Sequence, residues 1–288
     1  MAAKKKAQRL EVTVGEAKVS ALFWPGKGRP LIMLHGFMDC AEGFRGMANN
    51  THRPCYAFDL PGFGRSQKAD QPSFESYAER ITSAVRQLNI GPSIWVGHSM
   101  GGAVCRAVAD NPENHDLISA LALITPAGFG PLPRARIMDN AWLRPVITAA
   151  WPVLSGNPLS MLVAYPLQIS GGKAPDGAML VRGLRSIARG PQGPAMAAHA
   201  LNSLNHRSSA ELFKESSFKG PVASLWGSRD RLIPAQHSVG VQQVFPGADV
   251  TTWPDMAHHP QREQPKRLQS WIEKEHVKNK RKKFKRSK

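Results

Sequence analysis

The chain lacks the features that mark disulfide-rich, metal-binding and membrane-spanning proteins. It has only three cysteines in 288 residues, Cys40, Cys55 and Cys105, and their odd number and loose spacing match neither a disulfide framework nor a metal motif. No stretch approaches the roughly 20 consecutive apolar residues that cross a bilayer, and the basic N-terminus has no apolar run like that of a secretory signal. We therefore expect a cytoplasmic protein with ordinary reduced thiols.

Acidic residues are missing from both ends of the chain. Residues 1–9 and 278–288 hold 12 lysines and arginines and no Asp or Glu, so they account for 12 of the net charge of +17 and leave +5 for the rest. We predict a disordered basic segment at each end. Such segments would bind polyanions, including nucleic acid or an anionic membrane surface, only weakly and without sequence preference. The oligomeric state stays open.

Short strand-like runs alternate with helical patterns along most of the chain. We expect a hairpin over Leu10–Val14 and Lys18–Trp24, and a helix over Phe74–Leu88 with Ser73 as its N-cap. Continuous apolar runs are typical of strands in a parallel sheet covered on both faces. The later strands are predicted at Leu31–Leu34, Cys55–Phe58, Ile94–Val96, Leu121–Ile124, Val222–Trp226 and Asp249–Trp253. This order predicts a doubly wound, mostly parallel α/β sheet.

Residues 127–217 interrupt the alternation. They are rich in Pro and Gly and contain helix-like segments such as Ala178–Ile187 and Ala195–Leu204, without a clear buried strand. We predict a helical cap inserted between core segments 10–126 and 218–277. It would lie over the C-terminal edge of the sheet, where open α/β sheets bind ligands.

A serine bounded by glycines lies at Ser99, in the run Gly97–Gly101, which reads GHSMG. It follows the predicted strand Ile94–Val96 and precedes a predicted helix. This setting is typical of a nucleophile elbow, a sharp strand-to-helix turn that exposes the serine hydroxyl. Residues two before and two after the serine crowd each other there, so both must be small. The pattern predicts that Ser99 is a catalytic nucleophile.

Five motifs, taken in order, resemble those of the α/β-hydrolase superfamily, in its serine-dependent esterase and lipase branch. They are Leu34–Phe37 (LHGF), Asp59–Ser66 (DLPGFGRS), Gly97–Gly102 (GHSMGG), Gly227–Asp230 (GSRD) and His258–Pro265 (HHPQREQP). The resemblance covers nearly the whole chain. It implies the α/β-hydrolase fold and a triad in the order serine, acid, histidine. The motifs are specific for the fold and say little about the substrate.

The acid of the implied triad matches Asp230. This residue follows the predicted strand Val222–Trp226 and precedes a helix that would begin after Pro234. Asp255 is the nearest rival, but it stands only three residues before His258, too local to orient it from a separate strand end. The resemblance therefore implies that Asp230 orients the catalytic base.

The base is His258 or His259. The superfamily pattern His-x-Pro…Glu-x-Pro places it at His258 and leaves His259 in the variable position. The residue before the base is usually Gly in the superfamily and is Ala257 here, which makes the loop slightly less permissive without removing the base.

Two backbone N–H groups are expected to form the oxyanion hole. One belongs to Met100, the residue after the nucleophile, and the other to Phe37, which follows His35 and Gly36. We interpret His35 as a brace for its loop and His98 as a structural residue at the border of the site. Asp59 is expected to stabilise its own loop, with Arg65 as a candidate partner.

These residues predict an enzyme that cleaves a carboxylic ester, or a related acyl bond, of a small-molecule acyl substrate through an acyl-enzyme. No metal or organic cofactor is implied. The same triad serves C–C bond hydrolases, lactonases, thioesterases, acyltransferases and cofactor-free haloperoxidases. A non-catalytic small-molecule receptor is a further alternative, as is a hydrolase tethered to nucleic acid or a membrane by its basic ends.

Overall fold

The computed structural model of the chain describes residues 5–37, 39–132 and 192–274. In those ranges eight strands form one sheet in the order β1-β2-β4-β3-β5-β6-β7-β8. The strands are β1 (Gln8–Val14), β2 (Ala17–Trp24), β3 (Leu31–Leu34), β4 (Cys55–Phe58), β5 (Ser93–His98), β6 (Ile118–Ile124), β7 (Val222–Gly227) and β8 (Asp249–Trp253). Pairs β1–β2 and β2–β4 are antiparallel and all other pairs are parallel. The predicted mostly parallel α/β sheet is confirmed.

Helices cover both faces of this sheet. They are α1 (Arg45–Ala48), α2 (Phe74–Gln87), α3 (Met100–Asp110), α4 (Gln192–Ser203), α5 (Ser209–Leu212), α6 (Ser238–Val244), α7 (Pro260–Glu263) and α8 (265–274). The Ser73 hydroxyl caps α2 by accepting the Ser76 N–H at 3.0 Å, as the sequence predicts. The helix expected near 236–244 begins as a 3₁₀ turn at Ala235–His237 and continues as α6.

The alternation of side chains along each buried strand divides the core into two layers. In β3, Ile32 and Leu34 pack with α2 and α3 on one face, whereas Leu31 and Met33 pack with α8 on the other. All four side chains are fully buried. A strand enclosed on both faces reads as a continuous apolar run, which is why Leu31–Leu34 was recognisable from the sequence.

The first strand begins earlier than predicted. Gln8 and Arg9, which the sequence assigns to the basic N-terminal segment, lie in β1. The Arg9 guanidinium donates to Ser20 Oγ at 2.8 Å and to Asp59 Oδ2 at 3.0 Å. Its charge therefore belongs to the fold, because the buried carboxylate of Asp59, in the loop after β4, pairs with it.

Only the two ends of the predicted cap lie in the described ranges. The helix predicted at Ala195–Leu204 corresponds to α4, whereas the one predicted at Ala178–Ile187 lies outside the described residues, as does the basic segment 278–288. The cap as a unit stays a prediction. The helices of the described ranges are all too short or too polar to cross a membrane. All three cysteines are buried free thiols.

Candidate active site

Loops that leave five neighbouring strands meet at the C-terminal edge of the sheet. Parallel pairing sets the ends of β3, β5 and β6 side by side, with Leu34 opposite Gly97 and His98 opposite Ile124. The ends of β7 and β8 adjoin in the same way, with Gly227 opposite Trp253. Residues from distant parts of the chain therefore converge here, at the place where open α/β sheets bind ligands.

Ser99 lies on a strained turn between β5 and α3. Its φ is 53° and its ψ is −118°, a combination that costs a non-glycine residue roughly 1–3 kcal/mol. The Ser99 N–H donates to the Ile124 carbonyl at 3.0 Å, and its carbonyl accepts from Ala127 at 2.9 Å. The turn has the backbone geometry expected of a nucleophile elbow.

The glycines around Ser99 are required by close backbone approach. A Cβ on Gly97 would lie 2.6 Å from the Gly101 carbonyl oxygen and 2.8 Å from Cys105 Sγ. A Cβ on Gly101 would collide with the carbonyl of Leu34 at the end of β3. The predicted crowding between positions two before and two after the serine is therefore present.

Asp230 and His258 form a buried pair. Asp230 Oδ2 accepts a hydrogen bond from His258 Nδ1 at 2.7 Å, and the two side chains are 0% and 4% exposed. The other carboxylate oxygen accepts the N–H groups of Leu232 at 2.8 Å and Ile233 at 3.0 Å. Because an ionised carboxylate only accepts, the Nδ1 of His258 carries the proton and the Nε2 of the neutral ring is left as a base.

The charge state of Asp230 follows from these contacts. Burial alone would raise the pKa of Asp230, but the charge and hydrogen bond of His258, together with the two backbone N–H donors, outweigh burial and hold that pKa below its ordinary value. Asp230 is therefore ionised at neutral pH.

Ser99 and His258 are neighbours that are not hydrogen-bonded. In the described part of the chain, no hydrogen bond joins the Ser99 hydroxyl to the imidazole of His258. His98, next to Ser99, makes a 2.7 Å hydrogen bond to the His258 carbonyl, and the two imidazole rings are 4.9 Å apart. Hydrogen bonds between nucleophile and base are often long without substrate and shorten in the reactive complex.

The predicted oxyanion donors flank Ser99. Among the described residues, neither the Phe37 N–H nor the Met100 N–H donates to a protein acceptor. Met100 opens α3, where the first N–H groups have no partner within the helix. A Cβ on Gly36 would lie 3.1 Å from Ser99 Cβ, so the loop that carries Phe37 runs against the nucleophile.

The rival acid Asp255 is exposed and pairs with an arginine instead of a histidine. Its side chain is 52% exposed and its carboxylate accepts two hydrogen bonds from Arg267 at 2.9 Å. The hydrogen bond from Arg267 lowers the pKa of Asp255. His259, the rival base, packs its ring 5.0 Å from that of His258, and the hydrogen bond to Asp230 belongs to His258.

His35 braces its loop, as predicted. Its Nδ1 donates to the Gly36 carbonyl at 2.7 Å and its Nε2 accepts the Leu60 N–H at 2.9 Å. These two bonds join the loop after β3 to the loop after β4. Burial lowers the pKa of His35, so the ring is neutral.

Asp59 also stabilises its loop, with a different partner from the one proposed. Asp59 Oδ2 accepts the backbone N–H of Arg65 at 3.0 Å, but the guanidinium that pairs with it is that of Arg9. Asp59 Oδ1 accepts the Ala41 N–H at 2.8 Å. Arg65 therefore contacts Asp59 only through its main chain. The side-chain partner is Arg9, because the pairing of β1 with β2 and of β2 with β4 brings Arg9 close to the carboxylate.

Several residues near His258 were not identified from the sequence. Thr125 has a φ of 40°, rare for a β-branched residue, and its Oγ1 lies 3.4 Å from His258 Nδ1. An ion pair joins Arg262 to Asp39 and so links the His258 loop to the loop after β3. Their partners are distant in sequence, so no local pattern could reveal them. The described residues contain no cluster of three or more His, Cys, Asp or Glu side chains able to hold a metal ion.

Comparisons with known proteins agree on the fold. The chain is 28% identical over 239 residues to the dihydrolipoyllysine-residue acetyltransferase component of the acetoin cleaving system of Pseudomonas putida, which covers 82% of this chain and 60% of that protein. It is 34% identical over 158 residues to 1-acylglycerol-3-phosphate O-acyltransferase ABHD5 of Homo sapiens, which covers 49% of this chain and 42% of that protein. The matches therefore span less than two thirds of these relatives.

Solved structures and a family model extend the likeness to most of the chain. The esterase EaEST from Exiguobacterium antarcticum superposes with a TM-score of 0.71 at 17% identity, covering 91% of this chain and 96% of the esterase. The model of the alpha/beta hydrolase fold family matches residues 29–265. This range includes all five motifs and begins after strands β1 and β2. The chain therefore belongs to the α/β-hydrolase fold family.

Proposed function

We propose that the protein is a serine hydrolase that cleaves a carboxylic ester of a small molecule through an acyl-enzyme. The observation that carries the proposal is the buried Asp230–His258 hydrogen bond of 2.7 Å at the sheet edge that also holds the strained Ser99. Fold membership alone would not support this, because one fold hosts many functions.

In the proposed reaction Ser99 Oγ attacks the ester carbonyl while His258 Nε2 takes its proton. His258 then gives this proton to the departing alcohol, and the acyl group remains on Ser99. A water molecule, deprotonated by His258 in the same way, releases the acid and restores Ser99. Asp230 holds the Nδ1–H tautomer and stabilises the imidazolium, without itself taking the proton.

The N–H groups of Phe37 and Met100 are proposed to hold the oxyanion. Met100 follows Ser99 in the chain, and Phe37 follows Gly36, where a Cβ would lie 3.1 Å from Ser99 Cβ. Neither N–H donates to another described residue, so both are available to the negative oxygen that develops during attack. Loss of one donor of this kind costs about 10²–10³ in rate.

Acyl transfer is the second candidate, because both curated relatives above are named as acyltransferases. The acyl-enzyme would be the same, and an alcohol or thiol would replace water in the second step. Product analysis with water and a primary alcohol in competition separates the two, since a transferase yields the new ester as the major product.

Ester hydrolysis by wild type, Ser99→Ala, His258→Gln and His259→Gln tests the proposal. With short p-nitrophenyl esters we expect the first two variants to lose activity by at least about 10³-fold and His259→Gln to retain it. Mass spectrometry after treatment with a fluorophosphonate should place the adduct on Ser99. Full activity in Ser99→Ala would refute the proposal.

A further inference from the structure

The buried imidazole of His98 uses both of its ring nitrogens. Nε2 lies 2.7 Å from the His258 carbonyl oxygen, and Nδ1 lies 3.1 Å from Nε2 of Gln261. A carbonyl only accepts, so the Nε2 of His98 carries the proton, and Nδ1 accepts from the Gln261 amide. His98, Gln261 and His258 are all buried, so water does not compete for these bonds.

The protonation state of His98 suits this arrangement. Burial lowers the pKa of His98 to about 3, helped by the nearby charge of His258 when that ring is protonated. The His98 ring is therefore neutral at neutral pH. When His258 is protonated during the proposed reaction, His98 does not add a second positive charge beside it.

His98 contacts three of the loops that form the proposed site, those of Ser99, His258 and Phe37. It precedes Ser99 in the chain, bonds the main chain of His258, and packs on the loop that carries Phe37, since a Cβ on Gly36 would lie 2.9 Å from His98 Nδ1. Asp230 restrains only one nitrogen of the His258 ring, which leaves the position of the His258 backbone to other contacts.

We propose that His98 is a positioning residue that holds the main chain of His258 where its imidazole can reach Ser99, and that Gln261 orients the His98 ring. The proposal rests on the proposed roles of Ser99 and His258. The Thr125 hydroxyl also donates to the His258 carbonyl, but at 3.4 Å, compared with 2.7 Å for His98. Displacement of a catalytic group by about 1 Å can cost on the order of 10² in rate, so loss of the shorter bond has a large effect.

A matched pair of variants isolates this bond. Gln and Met have nearly the same length, but only Gln carries an N–H that can reach the His258 carbonyl. We expect kcat of His98→Met to fall about 10- to 100-fold with KM nearly unchanged, and His98→Gln to recover most of that loss. A purely structural role would lower the thermal midpoint of both variants without separating their kcat values.

Gln261→Met supplies a second test, which leaves His98 itself in place. It removes the donor to His98 Nδ1, so we expect a smaller loss of kcat, about 3- to 10-fold. The loss should disappear in the His98→Met background, because residues that act through one contact are not additive.

The rate of fluorophosphonate labelling at Ser99 distinguishes failure of this inference from failure of the proposed function. If wild type labels rapidly and His98→Met and His98→Gln label at equal rates, the positioning role is wrong and the hydrolase proposal stands. If wild type does not label at Ser99, both are wrong. Slow labelling of His98→Met, with rescue in His98→Gln, is the result we expect.

Discussion

Two buried carboxylates, Asp59 and Asp230, lie in loops that leave the same edge of the sheet. Each follows a parallel strand, and each accepts two backbone N–H groups at 2.8–3.0 Å. They differ in the side chain that completes the site. Asp59 pairs with Arg9, whereas Asp230 pairs with His258.

The partner decides what each carboxylate can do. A guanidinium stays charged at any physiological pH, so the Asp59–Arg9 pair links β1 to the loop after β4 and exchanges no proton. An imidazole has a second ring nitrogen that can take up and release a proton, so the Asp230–His258 pair can accept and return one. Nearly identical backbone settings therefore serve stability in one case and, in our proposal, catalysis in the other.

The largest expected effect comes from Asp230→Asn. The amide can present an N–H to His258 Nδ1, which favours the wrong tautomer and blocks Nε2 as a base. We expect kcat to fall by about 10³–10⁴, with little change in the free energy of unfolding. Steady-state kinetics and denaturant titration of the same preparation measure both. A large loss of stability with kcat retained would place Asp230 with Asp59 as a structural residue.

Asp59→Asn should have the opposite effect: stability falls and kcat is retained. Arg9 loses the nearer of its two acidic partners, keeping only Glu42 at 3.9 Å, and the buried loop loses an acceptor. We therefore expect the free energy of unfolding to fall by about 2–3 kcal/mol. The kcat of the folded protein should remain within an order of magnitude of wild type. Urea unfolding and kinetics check this, and a selective loss of kcat would contradict it.

The burial of His98 predicts that the stability of the protein depends on pH. The pKa of folded His98, about 3, lies below the ordinary value, so between about pH 3.5 and 6 the unfolded chain binds one proton more at this residue than the native state. Stability is therefore lost as the pH falls through this range. Replacing His98 by Gln should lessen that dependence by about 1.4 kcal/mol per pH unit. Urea unfolding at several pH values measures the slope, and equal slopes in both proteins would contradict the assignment.

The smallest effect is expected for a third carboxylate, Asp255. Because it is exposed and bonded to Arg267, Asp255→Asn should leave kcat and KM unchanged. Steady-state kinetics of Asp255→Asn and Asp230→Asn, measured under the same conditions, check this. A loss of kcat as large as that of Asp230→Asn would restore Asp255 as the acid.

Residues whose constraint is local were predictable from the sequence. Gly97 and Gly101 are required by the backbone around Ser99 itself, and Asp230 follows directly from the end of an apolar strand. The pattern around His258 selected it over His259, and it is His258 that donates a hydrogen bond to Asp230. In each case the signal and its cause lie within a few residues of each other.

Residues whose role depends on tertiary contacts were missed or misassigned. Arg9 reaches Asp59 only because β1 and β2 lie beside β4, so sequence proximity suggested Arg65 instead. The interpretation of His98 as a structural residue named no partner for it, because Gln261 is 163 positions away. The positive φ of Thr125 has no sequence signature, because the residues that it contacts, Leu225 and His258, are distant in the chain.

The rate of fluorophosphonate attachment to Ser99 in wild type, Asp59→Asn and Asp230→Asn tests the central claim most directly. The reaction needs Ser99 and its base but no particular substrate, so it isolates what each carboxylate contributes. We predict that Asp59→Asn labels at nearly the wild-type rate, whereas Asp230→Asn labels at least about 10²-fold more slowly. Equal rates in the two variants would contradict the claim that the partner of each carboxylate determines its role.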